Sequence, residues 1–501
     1  MKSKGNFIDG QWETVRSAEG KIERENPANP SQTVFRTSWD IVSSNRAVQR
    51  ARAALPEWDR LGVDGRREYM EGLKSAFTDR QEDIARAITR EVGKPLWEAR
   101  GEAGALAKKI EIMCGEALSL TGTHRPDGMD NGHWQHRPLG VLAVLGPYNF
   151  PAHLPNGHII PALINGNTVV VKPSELAGGV MQIYFECIQE AGFPDGVVNL
   201  VQGPGAVGKA LATHRGVNGV LFTGSWKTGL RIKEQTLDHY WKLLALEMGG
   251  KNTSIVLEDA DLDQAAHQIA KAAYLTTGQR CSATSRVVVR TEVIDEFIDR
   301  FRQLTDRVSV GPPTDGEPFM GPLASKPALE KFLAAQQRDE SGTLEPIVRG
   351  GRAESMADSD GYYVDPAVWL ARDVDARGEH QAAEIFGPDV VLYPVETDEA
   401  ATHVANATEY GLAMSVFTAE EERFEQMAYD LKSGVLNLNR STAGASSRLP
   451  FGGVKKSGNH RPSAILAGQY CTYPQAQLRE EAGWDDAQSD QMPFSLLQPN
   501  D

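Results

Sequence analysis

The chain has 501 residues, a length at which a single hydrophobic core stops growing, so two or three domains are expected. Its formal net charge is -15 and its charged residues are scattered without basic runs, which argues against a nucleic-acid partner. No apolar run reaches the roughly 18 residues of a membrane-spanning helix, and the first residues lack the apolar core of a signal peptide. Neither membrane insertion nor secretion is therefore expected.

The cysteines are far apart along the chain, and their spacing fits neither a disulfide framework nor a zinc site. They are Cys114, Cys187, Cys281 and Cys471. A reducing compartment, the cytoplasm, is therefore expected. No metal is expected, because no other group of His, Cys or carboxylate residues has the spacing of metal ligands. Cys114 and Cys187 lie in helical patterns and are expected to be buried.

The chain before residue 140 is predicted to be mostly helical. A hairpin opens it at residues 7–12, because Asp9-Gly10 supplies the positive φ angles that a tight turn requires. Apolar residues then recur at helical spacing from residue 43 to about residue 120. The polar, turn-rich residues 121–140 are predicted to form a strand pair outside the main core, an arm that could join subunits.

Between residues 141 and 247 short apolar strands alternate with intervals of helical length. The predicted strands are 141–145, 168–172, 197–201, 219–222 and 243–247. Such strands are typical of a parallel sheet that is covered by helices on both faces. The sequence therefore predicts an α/β architecture that binds a nucleotide.

Residues 203–208 match the dinucleotide fingerprint G-x-G-x-x-G, after a strand and before a helix. The fingerprint also requires an acidic residue about twenty positions on, at the end of the next strand. That strand ends at residues 221–224 without a carboxylate. We therefore interpret these glycines as close packing between strand and helix.

Residues 172–175, Lys-Pro-Ser-Glu, are a better candidate for the ribose of a nucleotide. They directly follow a predicted strand, so Glu175 could bind the ribose hydroxyls, with Ser174 beside it and Lys172 as a second polar contact. The alternative is a solvated loop of mixed charge. A second candidate follows the strand that ends near residue 222. There Gly224, Ser225 and Gly229 open a helix whose free N–H groups could face a pyrophosphate.

Cys281 closes a Thr-Gly-Gln turn and has Arg280 beside it. Nearby positive charge and backbone N–H groups lower a thiol pKa from its usual value of about 8.5, so the sequence predicts a nucleophilic thiolate. The alternative is a buried structural cysteine. Glu247 ends an apolar strand before two glycines, where a carboxylate can activate water. Glu384 and Phe386 place an acid near an aromatic ring.

Seven short motifs, in the same order, resemble those of the aldehyde dehydrogenases over most of the chain. They are residues 146–151, 172–175, 222–225, 247–250, 278–281, 384–388 and 450–453. Within the family, residues 148–159 and 457–464 are most similar to the enzymes that act on N-succinylglutamate 5-semialdehyde. Lys251 and Arg448 depart from that subgroup and resemble aldehyde dehydrogenases at large.

The resemblance implies an α/β fold of three parts that assembles as dimers or tetramers through the smallest part. The parts are a Rossmann-type cofactor domain (1–120 and 141–250), an α/β catalytic domain (251–437) and a small β oligomerisation arm (121–140 and 465–490). Residues 438–464 would return to the cofactor domain and form an active-site loop.

The resemblance also implies a role for each motif residue. Cys281 would attack the aldehyde carbon, and the oxyanion would be held by the Asn149 amide and the Cys281 backbone N–H. After hydride transfer to NAD, Glu247 would activate the water that hydrolyses the thioester. The cofactor contacts would be Glu384 and Phe386 on the nicotinamide ribose, Ser225 on the pyrophosphate, and Lys172 and Glu175 on the adenine ribose, where Glu175 would disfavour NADP.

A substrate with two carboxylates beyond its aldehyde needs donors or cations in its pocket. If a helix begins near Pro151, His158 lies about two turns along it and can face the aldehyde tunnel. Arg440 and Ser441 precede Phe451 in a loop, and a guanidinium there could bind a carboxylate through two hydrogen bonds. The alternatives are a core hydrogen bond for His158 and a surface position for Arg440.

Three rival functions remain open from the sequence. A CoA-acylating aldehyde dehydrogenase would pass the acyl group to CoA, but a general base at Glu247 favours hydrolysis. A hydrolytic enzyme for another semialdehyde or an aliphatic aldehyde would keep every site residue. A binding protein that kept the fold is disfavoured, because Asn149, Glu247, Cys281 and Glu384 are all present.

Overall fold

The computed structural model describes residues 1–15, 17–314, 318–337, 342–375 and 378–480. Residues 481–490 of the predicted arm, and the tail that follows them, lie outside this part of the chain. Within the described ranges, no helix combines the length and the apolarity that crossing a bilayer requires.

Helices occupy most of residues 42–121 and then alternate with strands. The α-helices of the described ranges are Val42–Arg60 (α1), Gly62–Asp79 (α2), Gln81–Val92 (α3), Leu96–Cys114 (α4), His153–Ile164 (α5), Gly178–Glu190 (α6), Gly205–Thr213 (α7), Trp226–Gln235 (α8), Leu262–Tyr274 (α9), Ile294–Thr305 (α10), Lys326–Gln336 (α11), Glu379–Ala382 (α12), Asp398–Asn406 (α13), Glu421–Asp430 (α14) and Ala467–Tyr470 (α15). Short 3-10 helices span Glu116–Thr121, Leu237–His239, Leu275–Gly278 and Glu354–Met356.

The strands form two large sheets and several small ones. In chain order they are Asn6–Ile8 (β1), Gln11–Glu13 (β2), Gly20–Asn26 (β3), Asn29–Trp39 (β4), Thr123–His124 (β5), Gly132–Pro138 (β6), Val141–Leu145 (β7), Thr168–Lys172 (β8), Val198–Leu200 (β9), Gly219–Gly224 (β10), Leu243–Met248 (β11), Asn252–Val256 (β12), Thr284–Arg290 (β13), Leu344–Val348 (β14), Gly351–Arg352 (β15), Val364–Asp365 (β16), Ala367–Ala371 (β17), Asp389–Val395 (β18), Tyr410–Gly411 (β19), Ala413–Phe417 (β20), Val435–Leu438 (β21), Pro450–Phe451 (β22), Val454–Lys455 (β23), Ser463–Ala464 (β24) and Thr472–Leu478 (β25).

The first large sheet has the order β11-β10-β7-β8-β9-β1-β2, and its first five strands are parallel. Val141 and Ala143 of β7 belong to one buried cluster, whereas Leu142 and Val144 belong to another on the opposite face. Alternate side chains of a strand point to opposite faces, so helices cover both sides of the sheet. The predicted parallel α/β sheet is thus confirmed.

The predicted hairpin at the start of the chain is also confirmed. It pairs β1 with β2, and β1 pairs antiparallel with β9, so that the hairpin extends the first sheet. Asp9 and Gly10 in the turn have φ angles of 55° and 73°.

The second large sheet has the order β14-β17-β18-β13-β12-β20-β21 and is parallel except for its edge strand β14. Val288 of β13 packs into one buried cluster, while Val287 and Val289 pack into another. This sheet is therefore also covered on both faces.

A third, antiparallel sheet has the order β25-β6-β5. It joins the predicted strand pair of residues 121–140 to a late strand. That strand begins at Thr472, because Cys471 ends α15 as its C-terminal cap. Cys471, like Cys187, is completely buried, and Cys114 is buried as expected.

The two large sheets meet where β11 ends and β12 begins, only a few residues later. Residues 457–458 close this junction: Gly458 bridges to Glu247, and the N–H of Met248 donates to the carbonyl of Ser457 at 2.9 Å. Ligands of parallel sheets bind beyond the carboxyl ends of the strands, so this junction is the expected position of a site. The domain limits given above remain a prediction.

Candidate active site

A cavity of about 620 Å³ lies at the junction of the two sheets. The predicted catalytic residues Asn149, Glu247 and Cys281 all line it. So do five of the predicted cofactor residues: Ser174, Gly224, Ser225, Glu384 and Phe386. The structure therefore brings together groups that are up to 237 positions apart in the chain, as the span from Asn149 to Phe386 shows.

The turn before Cys281 has an unusual backbone. Thr276 and Thr277 have φ angles of 56° and 54°, which costs each non-glycine residue about 1–3 kcal/mol. Gly278 has a φ of 69°, and a Cβ there would lie 2.3 Å from the carbonyl oxygen of Gly387. The surrounding structure holds this shape, since the Thr277 hydroxyl donates to the carbonyl of Gly321 at 2.9 Å.

The structure does not give Cys281 the lowered pKa of the thiolate that the sequence predicts. The Arg280 guanidinium points to Glu98, with 2.6 Å between Nη2 and Oε1, and its centre lies 4.9 Å from the centroid of the Phe150 ring. Burial, followed by the nearby Glu384 and Glu247, raises the pKa of Cys281 to about 12, and Arg280 and the backbone N–H of Cys281 oppose this shift only in part. Cys281 therefore has to lose its proton during the reaction.

Asn149 lies in the loop between β7 and α5, and its side chain faces the Cys281 turn. Its Nδ2 donates to the carbonyl of Gln279 at 2.9 Å, and the residue is 4 % exposed. A primary amide carries two hydrogens, so this bond fixes the amide and leaves the second hydrogen to donate into the cavity. Together with the N–H of Cys281, this is a suitable arrangement for an oxyanion next to the sulfur.

Glu247 lies near the end of β11, opposite Thr223 of β10. Burial raises its pKa well above the usual range, although the backbone N–H of Ser463 donates to the carboxylate and opposes the shift. Its Oε2 is buried and has no hydrogen-bond partner among the described residues. A carboxyl group of this kind holds its proton more strongly than an ordinary carboxyl group and, once deprotonated, is a strong base that faces the cavity.

Three charged residues next to the catalytic loops were missed by the sequence reasoning. Glu102 of α4 accepts the N–H groups of Ala152 and His153 at 3.1 and 3.2 Å, and it therefore holds the Asn149 loop. Its Oε2 lies 2.6 Å from Nζ of Lys94, and both side chains are fully buried.

Glu98, one turn earlier in α4, accepts the N–H of Thr276 at 3.0 Å and binds Arg280, so it holds the Cys281 turn. One helix thus positions both catalytic loops. The buried face of α4 is mostly apolar and includes Ala99, Leu106 and Ile110. Glu98 and Glu102 interrupt this apolar pattern, which is the signal that the sequence contains for this arrangement.

On the cofactor side, Glu384 accepts the N–H of Gly250 at 2.9 Å. A Cβ at position 249 would lie 2.2 Å from Oε2 of Glu384, so only glycine lets the carboxylate approach the chain here. The Phe386 ring is edge-on to Tyr148, with centroids 6.1 Å apart. This pair forms part of the wall that a nicotinamide ring would face.

Gly224 and Ser225 lie where α8 starts, and Ser225 is its N-terminal cap. Backbone N–H groups in the first turn of a helix have no partner within the helix and favour an anion such as pyrophosphate. Gly229 does not line the cavity. A Cβ there would lie 2.4 Å from Sδ of Met248, so its role is to allow close packing of α8.

Lys172 is buried and donates to the carbonyl of Gly203 at 2.8 Å and to that of Pro173. Glu175 is half-exposed, and its Oε2 lies 3.7 Å from Nζ of Lys172, so it is available to accept hydrogen bonds from a ribose. At Gly203 a Cβ would lie 2.3 Å from Cγ2 of Val207, as expected for a glycine needed for packing. These donors and acceptors fit a dinucleotide.

The sequence predicts that His158 can face the aldehyde tunnel, and a contact with the substrate stays a prediction. His158 lines the cavity, but its Nδ1 lies 2.8 Å from the Tyr470 hydroxyl and its Nε2 lies 3.1 Å from the Thr223 hydroxyl. Burial lowers its pKa to about 3, so the ring is neutral. The alternative interpretation, a hydrogen bond in the core, describes this residue.

The guanidinium clamp predicted at Arg440 stays a prediction that the position of the residue does not support. Arg440 is exposed and does not line the cavity, and the buried Ser441 uses its hydroxyl to accept the N–H of Ala443 at 3.1 Å. Arg448 is bound to Glu116 through two hydrogen bonds of 2.7 and 2.8 Å. Of the loop residues that were predicted to contact substrate, Phe451 alone lines the cavity among the described residues.

Comparison with known proteins identifies the same chemistry. The family model described as the aldehyde dehydrogenase family matches residues 14–476. A curated relative from Burkholderia cenocepacia (strain HI2424), named N-succinylglutamate 5-semialdehyde dehydrogenase, is 41% identical over 475 residues, which cover 94% of this chain and 96% of the relative.

Solved structures are similar over nearly the whole chain. An NAD-dependent aldehyde dehydrogenase from Sinorhizobium meliloti has 31% sequence identity and a TM-score of 0.90, covering 97% of this chain and 96% of its own. A point mutant of betaine aldehyde dehydrogenase from Staphylococcus aureus, solved in complex with NAD+, has 28% identity and a TM-score of 0.89, covering 96% and 98%.

Proposed function

Because the chain belongs to the aldehyde dehydrogenase family, and is thus an NAD-dependent aldehyde oxidoreductase, we propose that its substrate is N-succinylglutamate 5-semialdehyde. The product would be N-succinylglutamate, formed by hydrolysis of an enzyme thioester. Two observations support this substrate: the names of relatives about 40% identical over 94% of the chain, and the likeness of residues 148–159 and 457–464.

The chain's own residues supply the acyl chemistry. Sγ of Cys281 forms the bond to the aldehyde carbon, and the thiol proton passes to solvent as the bond forms. The amide of Asn149 and the N–H of Cys281 hold the oxyanion. Bound NAD supplies the acceptor for the hydride. The acyl group then remains on Cys281 as a thioester until water, deprotonated by Glu247, attacks it.

The observation that carries the reaction type is the convergence of Asn149, Glu247 and Cys281 on one cavity. A buried base in that cavity favours transfer to water over transfer to CoA. A hydrolytic enzyme for another semialdehyde or an aliphatic aldehyde is the remaining alternative, because all three residues would serve it equally well.

An aldehyde panel tests the proposal. With NAD, N-succinylglutamate 5-semialdehyde is expected to give the highest kcat/KM, about tenfold or more above that of hexanal, because charge-assisted hydrogen bonds to its carboxylates stabilise the complex. The measurement is the rate of NADH formation with and without CoA. A rate that depends on CoA would contradict the hydrolytic mechanism, and a preference for hexanal would contradict the substrate.

Cofactor choice is predicted to depend on Glu175. Its half-exposed carboxylate would repel a 2'-phosphate, so NAD should give a higher kcat/KM than NADP. Glu175→Gln is expected to narrow this preference about tenfold, mainly by improving the use of NADP. Equal use of the two cofactors by the unmodified enzyme would show that Glu175 is not near the adenine ribose.

We also propose that the enzyme is a cytoplasmic homodimer or homotetramer that assembles through the sheet β25-β6-β5. In the described protomer β25 is an edge strand, and edge strands are templates for pairing with another chain. All four cysteines are free thiols, which supports a reducing compartment.

A further inference from the structure

Lys109 is a buried lysine in α4 whose side chain reaches the wall of the active-site cavity. The residue is 4 % exposed. Its Cε lies 3.9 Å from the position that a Cβ on Gly157 would occupy, one turn into α5. Gly157 also lines the cavity, so Lys109 and Gly157 form one part of its wall.

The Lys109 ammonium has no counter-ion within the described part of the chain. Lys109, Arg280 and Lys331 are the cations among the described residues that line the cavity. Arg280 is bound to Glu98, and Lys331 donates to the carbonyl of Glu384 at 2.6 Å. Lys109 forms no hydrogen bond or ion pair with a described residue. A buried ammonium without a partner is unfavourable, so an anion that enters the cavity gains from meeting it.

The two histidines near Lys109 are neutral, whereas Lys109 itself is mostly charged. His153 and His158, both on α5, have their pKa lowered to about 3 by burial and, next, by the nearby Lys109 ammonium, so both rings are neutral. Burial lowers the pKa of Lys109 itself to about 8, which still leaves most of it charged at neutral pH.

Lys109 lies on the side of the cavity where the aldehyde is expected to bind, away from the predicted cofactor contacts. It packs on α5, the helix that directly follows the Asn149 loop, whereas the predicted cofactor contacts follow β8 and β10 or precede β18. Gly157 is about 6 Å along α5 from its first residue, His153. A substrate that reaches from Cys281 along this wall would place a distant carboxylate at Lys109.

We infer that Lys109 binds a carboxylate of the substrate and so selects aldehydes that carry a negative charge away from the reacting carbon. This inference rests on the proposed function, because it requires a carboxylated semialdehyde as the substrate. The carboxylate is thus assigned to Lys109 of α4, whose side chain is held by packing, and not to Arg440 in the loop that the sequence suggested.

The test compares Lys109→Met with the unmodified enzyme on three aldehydes at saturating NAD. Methionine keeps the length and removes the charge. We expect kcat/KM to fall by about 10- to 100-fold for N-succinylglutamate 5-semialdehyde and for succinate semialdehyde, mostly through KM, and to change less than about twofold for hexanal. Inhibition by N-succinylglutamate should weaken by a similar factor, and Lys109→Arg should retain part of the selectivity.

Lys108→Met is the matched control, because Lys108 is the exposed neighbour of Lys109 on the same helix. It should leave all three rates unchanged. Equal losses of Lys109→Met on hexanal and on the carboxylated aldehydes would overturn the inference, and so would no loss at all. If Lys109→Met does not fold, the same comparison with Lys109→Gln decides.

The two hypotheses fail in different ways. If the unmodified enzyme prefers succinate semialdehyde and Lys109→Met removes that preference, the proposed substrate is wrong and Lys109 still recognises carboxylates. If the unmodified enzyme prefers N-succinylglutamate 5-semialdehyde and Lys109→Met keeps the preference, the proposed substrate stands and the assignment of Lys109 is wrong. A preference of the unmodified enzyme for hexanal would overturn both.

Discussion

Cys281→Ala is expected to abolish NADH formation, with a loss of about 10⁴-fold or more, while NAD binding stays nearly unchanged. In the proposed mechanism the sulfur of Cys281 makes the covalent bond to the aldehyde, and the other cysteines are buried outside the cavity. The predicted cofactor contacts are other residues, chiefly Glu384 and those at the start of α8. NADH absorbance measures the first effect, and a fluorescence titration with NAD measures the second.

Cys114→Ala is the control for this prediction. Cys114 is also a buried thiol, but it ends α4 and packs in the core of the first sheet. Its replacement should leave kcat unchanged, even if the free energy of unfolding falls. Turnover by Cys281→Ala above about one per cent of the original rate would contradict a covalent role for Cys281.

The architecture could be predicted because it depends on regular patterns. Strands such as Thr168–Lys172 are apolar throughout and are separated by helix-sized intervals, which indicates a covered parallel sheet. The carboxyl ends of parallel strands share one edge, so residues near strand ends, such as Glu247 and Ser225, could be expected to meet. The roles of the catalytic motifs, including that of Asn149, were inferred from the family resemblance.

The direction of individual side chains could not be predicted, because it depends on distant partners. Arg280 is next to Cys281 in sequence, but its side chain binds Glu98, 182 positions away. His158 is held by Tyr470, 312 positions away, and by Thr223. Partners at such separations leave no local pattern in the sequence.

Loop residues were the least predictable. Arg440 and Arg448 are near the active-site loop in sequence, yet both side chains lie outside the cavity. Lys109, which does line the cavity, belongs to a helix and lies next to the buried apolar residues Leu106 and Ile110. A charge within an apolar helical stripe was the available signal.

Glu247→Gln is expected to give one burst of NADH per active site and then to slow by about 10²- to 10⁴-fold, the usual contribution of a general base. Hydride transfer precedes hydrolysis, so the amide variant still forms the thioester on Cys281 but cannot deprotonate the water. A rapid-mixing trace of NADH absorbance measures the burst. Glu425→Gln, on the exposed face of α14, is the control and should keep the original steady rate.

The pH dependence of the same step follows from the raised pKa of Glu247. Below that pKa the carboxyl group holds its proton and cannot accept one from water, so hydrolysis should accelerate as pH rises through it. In Glu247→Gln this dependence should disappear from the slow phase, while the burst still accelerates with pH, because burial also raises the pKa of Cys281. A slow steady rate without a burst would mean that Glu247 acts before hydride transfer, as the base for the Cys281 thiol.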